Sequence, residues 1–137
     1  MKEDIIKRWI LKAKSDLKTA RILMQSNELT DIVCFHAQQA VEKLLKAYLT
    51  YKNIKSSKTH DISVLLKLCI KEDKDFNSLD IEKLEQLTFY AVEVRYPDDF
   101  YVPDIEEAKA ALEQANKLWD FIIKKLKDVI REDWIKI

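Results

Sequence analysis

The stretch VCFHAQQAVEKLLKAYL, from Val33 to Leu49, decides the fold of this chain. Its apolar residues recur at intervals of three and four, which predicts a helix. Most of them form one broad stripe, while Phe35, Leu45 and Leu49 lie toward another side. A helix with apolar residues on more than one face is expected at the centre of a bundle or against a second subunit.

The polar residues of the same helix separate into two rows. Gln38 and Glu42 form one row, and the other, which we call the polar ridge, comprises His36, Gln39 and Lys43. Spacings of three and four place the ridge residues next to one another on the helix surface. The ridge either hydrogen-bonds neighbouring helices and water or lines a cleft between helices or subunits. Periodicity leaves both interpretations open.

Composition favours an all-α fold. The 137 residues are enough for one core, and 47% hydrophobic with 35% charged residues is typical of a globular domain. The chain has no glycine, and both prolines, Pro97 and Pro103, lie in one short segment. Because glycine supplies most positive-φ turns, tight β-hairpins are disfavoured.

Charge and cysteine usage argue against several function classes, although the charge balance does not exclude a local basic site. The 24 basic and 24 acidic residues cancel, whereas a strong nucleic-acid binder normally has a basic excess. Cys34 and Cys69 fit neither a metal spacing nor a disulfide framework and suit a reducing compartment. No apolar run is long enough to span a membrane, and the first residues, MKEDIIKRW, are charged. We therefore expect a cytoplasmic protein.

Helical periodicity and capping residues predict the remaining elements. Long helices joined by short loops predict an antiparallel up-down four-helix bundle with one additional short helix. Thr30, Thr59 and Asp104 are the expected N-caps, and Glu107 completes a capping box with Asp104. The predicted helices cover about residues 4–25, 30–52, 60–71, 81–95 and 104–126.

Arg95 ends the fourth predicted helix, and the loop YPDDFYVP follows it. One interpretation is structural, in which Arg95 pins this loop through Asp98 or Asp99. The other is functional, because an arginine can bind a phosphate through two parallel hydrogen bonds. Tyr96 lies next to Arg95 in either case.

The remaining polar residues and the tryptophans do not indicate a metal site or a base-stacking surface. His60 and Asp61 open the third predicted helix, where Asp61 complements the helix dipole and His60 is interpreted as a polar first-turn residue. His36 and His60 have no metal-ligand spacing, so we expect no metal site. Trp9 and Trp119 are predicted to be core residues instead of a platform for base stacking.

Four segments together resemble the HEPN family (higher eukaryotes and prokaryotes nucleotide-binding domain), in its small stand-alone prokaryotic form. They are Trp9 followed by KAKSDL, then CFHAQQAVEKLLKAYL, THDISVLL and VRYPDDFYVPDIEEAKAAL. The resemblance extends from about Trp9 to Leu126. It implies a single HEPN-like helical domain over residues 1–137.

The resemblance also implies a function. HEPN proteins usually pair as dimers and are often encoded beside minimal nucleotidyltransferases, in some cases as toxin–antitoxin pairs. We therefore expect a homodimer without a cofactor that binds a nucleotide or partners such a transferase. By this resemblance the site residues divide into two groups, one for phosphate, base or sugar (Arg95, Lys43, His36, Gln39 and Tyr96) and one supporting the loop or cleft (Asp98, Asp99, His60 and Asp61).

Some HEPN proteins are metal-independent RNases that carry an Arg, four to six further residues and a His. Arg95 matches this pattern, but residues 100–102 are Phe, Tyr and Val, and no histidine follows in the chain. Loss of a general base costs roughly 10²–10⁴-fold in rate. We therefore expect a non-catalytic module. The alternatives are a divergent RNase that uses His36 or His60, with RNA as its substrate, and a purely structural oligomerisation domain.

Overall fold

The computed structural model describes residues 1–56, 58–92 and 101–136. Within these ranges the chain is all-helical, with no strand, so the predicted fold class is confirmed. The elements form a helical bundle with additional short helices. They are α1 (Lys2–Leu23), α2 (Thr30–Tyr51), α3 (Ile62–Glu72), a 3₁₀-helix (Lys74–Ser78), α4 (Ile81–Gln86), α5 (Phe89–Val92), α6 (Ile105–Lys125) and α7 (Glu132–Ile135).

Helix α2 is the centre of the bundle. It packs against α1, α3, α5 and α6. Leu44 and Tyr48 on its main stripe are buried, and so are Leu45 and Leu49 on its other side. The apolar residues on more than one face are therefore explained by contacts with helices of the same chain.

Helices α1 and α2 are antiparallel, as predicted. Near the start of α1, the ring of Trp9 lies beside Lys46 near the end of α2, with 5.4 Å from Nζ to the ring centroid. Further along α1, Asp16 contacts His36, which lies in the first half of α2. One face of α1 therefore borders the polar residues of α2.

Helices α2 and α6 run in the same direction, and Thr30 connects their first turns. The hydroxyl of Thr30 donates to the carbonyl oxygen of Pro103 at 2.7 Å. Thr30 was predicted to be the N-cap of α2, which is wrong: the N-cap is Leu29, because the threonine hydroxyl is used in this tertiary contact. At the other end, the hydroxyl of Tyr51 donates to Asp128.

The segment between α2 and α3 returns along the surface of α2. Asn53 adopts a positive φ of 59°, a conformation that asparagine tolerates better than most residues when glycine is absent. The chain then brings His60 beside Glu42, nine residues before the end of α2. The N-cap of α3 is Asp61, so the prediction of Thr59 is wrong; the Thr59 hydroxyl instead accepts from the Asp61 amide. His60 therefore precedes the helix.

The fourth predicted helix is divided. Helices Ile81–Gln86 and Phe89–Val92 are separated near Thr88, whose hydroxyl accepts from the backbone amide of Ile62. The Thr88 hydroxyl therefore links the point where the predicted fourth helix divides to the first residue of α3. Residues 93–95, which complete the predicted helix, lie outside the described ranges.

Two short elements were not predicted, and each buries one aromatic residue. The 3₁₀-helix Lys74–Ser78 places Phe76 against Tyr48, with 4.8 Å between ring centroids. Helix α7 buries Trp134 next to α1. Because each element is only one turn long, its sequence carries no measurable helical period.

Helix α6 begins as predicted at Asp104, whose side chain accepts from the Glu107 amide at 2.8 Å. The reciprocal bond of a capping box is replaced. The Glu107 carboxylate accepts instead from the hydroxyls of Tyr90 and Tyr101. The cap thus ties α6 to α5 and to the segment before α6.

Both cysteines are core residues. Cys34 and Cys69 are buried free thiols, and burial raises the pKa of each thiol to about 12. A thiol with such a pKa is a poor nucleophile near neutrality. Among the described helices, none is long and apolar enough to cross a membrane.

The central position of α2 can be tested by truncation. Leu44 is fully buried in the core, and Leu44→Ala should lower the free energy of unfolding by about 2–5 kcal/mol because a cavity remains. Val64 on α3 is exposed, so Val64→Ala should change it by no more than about 0.5 kcal/mol. Urea denaturation measures both values. Equal effects of the two substitutions would contradict this assignment of the core.

Candidate functional site

A carboxylate from α1 organises the polar ridge of α2. Oδ1 of Asp16 lies 2.8 Å from Nδ1 of His36, and Oδ2 accepts from Nζ of Lys43 at 2.5 Å. Because an ionised carboxylate can only accept, Nδ1 of His36 is the donor in this pair. Asp16 is buried, while the side chains of His36 and Lys43 keep 25% and 18% of their surface exposed.

A second carboxylate, Glu42, organises the neighbouring row of α2. Its Oε1 lies 2.9 Å from Nδ1 of His60 and accepts from Nε2 of Gln38 at 3.4 Å. Its Oε2 accepts from Nζ of Lys46 at 3.3 Å. Glu42 is only 3% exposed, and a charge removed from water in this way is tolerated only with such partners.

A glutamine pair extends the Glu42 cluster to the polar ridge. Nε2 of Gln39 donates to Oε1 of Gln38 at 2.6 Å. Gln39 of the ridge is therefore bonded to Gln38, which itself donates to Glu42. In the described part of the chain, every buried side-chain nitrogen or oxygen has a hydrogen-bond partner. The Asp16 cluster and the Glu42 cluster are neighbours on α2, and we call them together the polar seam; its members are Asp16, His36, Gln38, Gln39, Glu42, Lys43, Lys46 and His60.

The polar seam ends at an open cavity of about 360 Å³, which we call the seam cavity. Its lining residues come from α1, α2 and the segment before α3: Trp9, Lys46, Ser56, Lys58 and His60. A second cavity of about 480 Å³ shares Trp9 and Ser56 with it and adds Lys2, Ile5, Thr50, Asn53, Ile54 and Lys55. Among the described residues that line the two cavities there is no aspartate or glutamate.

Some of the site residues predicted from the sequence lie together in the polar seam, and others do not. His36, Gln39 and Lys43 lie together in the polar seam, where each contacts another side chain. Of the supporting residues, His60 joins the seam through Glu42.

Asp61 has a local role as the N-cap of α3, accepting from the amide of Ser63 at 2.9 Å. The remaining candidates, Arg95, Tyr96, Asp98 and Asp99, lie outside the described residues.

Sequence reasoning missed several members of the site. Asp16 lies seven residues after Trp9, a spacing that places both on one face of α1, and this signal was available. Lys46 continues the i, i+4 row of Gln38 and Glu42 in the same way. Lys58 belongs to a segment without periodicity, so no pattern could place it next to Trp9.

Trp9 was predicted to be a core residue, and it lies at the boundary between the core and the two cavities. It is partly buried against the core, yet it also lines both cavities. Trp119 is buried, as predicted. No group of three or more His, Cys, Asp or Glu side chains within the described ranges is arranged to hold a metal ion.

Comparison with known proteins identifies the family. The HEPN domain model matches residues 6–126. The chain is 30% identical over 138 residues to "Putative toxin MJ1304" of Methanocaldococcus jannaschii, across 93% of this chain and 90% of that protein. The crystal structure of ST0689, an archaeal HEPN homologue, shares the fold with a TM-score of 0.63 at 24% identity, covering 88% of this chain and 97% of that one. This chain belongs to the HEPN domain family.

Proposed function

We propose that this chain is a HEPN-type binding module that acts as a homodimer, holds a nucleotide and partners a minimal nucleotidyltransferase. The observation that carries the proposal is the pair of oriented histidines in the polar seam. Nδ1 of His36 is held by Asp16, and Nδ1 of His60 is held by Glu42. In each ring this leaves Nε2 for a ligand.

The ridge provides the remaining contacts in this proposal. His36 and Gln39 hydrogen-bond the base or sugar, and Tyr96 adds a further contact. Lys43 and Arg95 take the phosphates, since ammonium and guanidinium groups both bind phosphate oxygens. Asp16 supports this assignment because it keeps Lys43 and His36 in fixed positions 2.5 Å and 2.8 Å from its oxygens.

An exposed apolar group supports the dimer. Phe89, Tyr101 and Val102 are 43%, 42% and 54% exposed, and the rings of Phe89 and Tyr101 are in contact at 5.6 Å between centroids. Large apolar side chains that remain exposed together are typical of an interface. These residues lie on either side of Arg95 in the sequence, so the proposed interface and the proposed phosphate contact come from the same part of the chain.

The transferase partnership rests on family membership and on the relative from Methanocaldococcus jannaschii, whose name describes a toxin. In this proposal, the chain presents substrate to the transferase or forms a toxin–antitoxin pair with it. Calorimetric titration with a minimal nucleotidyltransferase encoded beside this chain would test the partnership.

We expect ATP to bind the purified protein in the micromolar range. Arg95→Ala should weaken the binding at least about tenfold, because a charge-assisted hydrogen bond to phosphate contributes on the order of 1.5–3 kcal/mol. Isothermal titration calorimetry measures the affinity. Arg8 is an exposed arginine on α1, so Arg8→Ala is the matched control and should leave the affinity unchanged. If Arg95→Ala lowers only the stability, Arg95 is a loop clamp in a structural oligomerisation domain.

We expect Val102→Glu to convert the dimer to a monomer, because it places a charge in the proposed apolar interface. Ile22 on α1 is 59% exposed, so Ile22→Glu is the matched control and should leave the dimer intact. Sedimentation equilibrium measures the mass of each variant. A wild-type protein that is monomeric at all concentrations would remove the homodimer from the proposal.

The RNase alternative is favoured by the same carboxylate–imidazole pairs, since a carboxylate that orients a histidine is a common arrangement for a general base. The binding module predicts no RNA cleavage at high protein concentration with EDTA present. Cleavage that survives chelation and is lost in Arg95→Ala would establish the enzyme instead. His36→Asn and His60→Asn would then identify the histidine that acts as the base.

A further inference from the structure

The two cavities at the end of the polar seam have an unbalanced positive charge. Lys2, Lys55 and Lys58 line them, and in the part of the chain that the structure describes none of the three ammonium groups has a carboxylate within 4.0 Å. The charge of Lys46 is already offset by Glu42. The surface around Trp9 therefore presents lysines that lack an acidic partner, which attracts an anion.

His60 adds a directed hydrogen-bonding group to this surface. Its side chain is 71% exposed, yet its Nδ1 is held at 2.9 Å by the buried carboxylate of Glu42. An exposed histidine without such a contact would sample several rotamers. The contact fixes the ring while Nε2 remains available at the seam cavity, and in the protonated ring Nε2 is a donor for an anionic oxygen.

Trp9 makes the surface suitable for an aromatic ligand. Trp9 lines both cavities, and each of the two linings also contains lysines. An aromatic ring next to cations matches the two parts of a nucleotide, since the base stacks and the phosphate meets the positive charge. A volume of about 360 Å³ is within the usual range for small-molecule sites.

We propose that the seam cavity is a second ligand site that binds the phosphate ester of a nucleotide. Lys58 and Nε2 of His60 hold the phosphate, Ser56 contributes its hydroxyl, and Trp9 contacts the base. This site uses neither Arg95 nor Lys43, so it lies beyond the ridge contacts of the proposed function, with which it shares only the oriented ring of His60. A free nucleotide and the end of a single-stranded RNA share this chemistry.

The test follows the three indole N–H signals of the full chain in a ¹H–¹⁵N NMR spectrum, with Trp9→Phe identifying the signal of Trp9. AMP is the first probe, and a short single-stranded RNA oligonucleotide is the second. We expect AMP to shift the Trp9 signal saturably, while the signals of the buried Trp119 and Trp134 stay unchanged.

Lys58→Gln and His60→Gln should each raise the Kd about tenfold, because each removes one charge-assisted contact to phosphate. Lys109 is an exposed lysine on α6, so Lys109→Gln is the matched control and should bind as the wild type does. Arg95→Ala should also leave the Trp9 shift intact, which separates this site from the proposed ridge site.

The two probes distinguish the source of the phosphate. Similar Kd values for AMP and the oligonucleotide assign the site to a free nucleotide. An oligonucleotide that binds at least tenfold more tightly assigns it to an RNA strand. The proposal is overturned if neither probe moves the Trp9 signal, or if Lys58→Gln weakens binding no more than Lys109→Gln does. It is equally overturned if Arg95→Ala abolishes the shift while Lys58→Gln preserves it.

Discussion

The buried carboxylate of Glu42 is the constraint on which the polar architecture depends. A glutamate that is 3% exposed at the centre of a bundle must be surrounded by donors, and two parts of the chain provide three of them. Helix α2 supplies Gln38 and Lys46 one turn before and after it. The third donor, His60, comes from a segment that must turn back along α2 to reach it.

This constraint explains why the polar residues of α2 do not form an ordinary solvent-exposed face. Helix α2 packs against four other helices, so little of its surface remains for water. Its polar side chains are instead paired with one another and with Asp16 and His60. The pairing places two histidines at the edge of the core, each with one nitrogen fixed by a carboxylate. Rigid placement of this kind lowers the entropic cost of binding a ligand.

The alternatives for the polar ridge are not mutually exclusive in this structure. His36, Gln39 and Lys43 hydrogen-bond their neighbours, as a helix boundary requires, and the seam they belong to also leads to an open cavity. Within this seam, the contact of Glu42 with His60 holds the imidazole at the cavity. Because Glu42 is buried and also holds His60, a substitution of Glu42 would affect both stability and the cavity, whereas Lys58 lies outside the polar seam.

The sequence by itself determined the helical class and the start of α6, and it limited α2 to the centre of the bundle or a contact with a second subunit. These follow from apolar period, the absence of glycine and the Asp104 cap, which are local properties of the chain. Only the tertiary structure decided which polar residues meet. The hydroxyl of Thr30 donates to the carbonyl oxygen of Pro103 instead of capping α2. The hydroxyl of Thr88 accepts from the first residue of α3 at the point where the predicted fourth helix divides. The irregular segment between α2 and α3 places His60 next to Glu42. Such contacts join residues far apart in sequence, and a pattern within one helix contains no information about the distance between two segments.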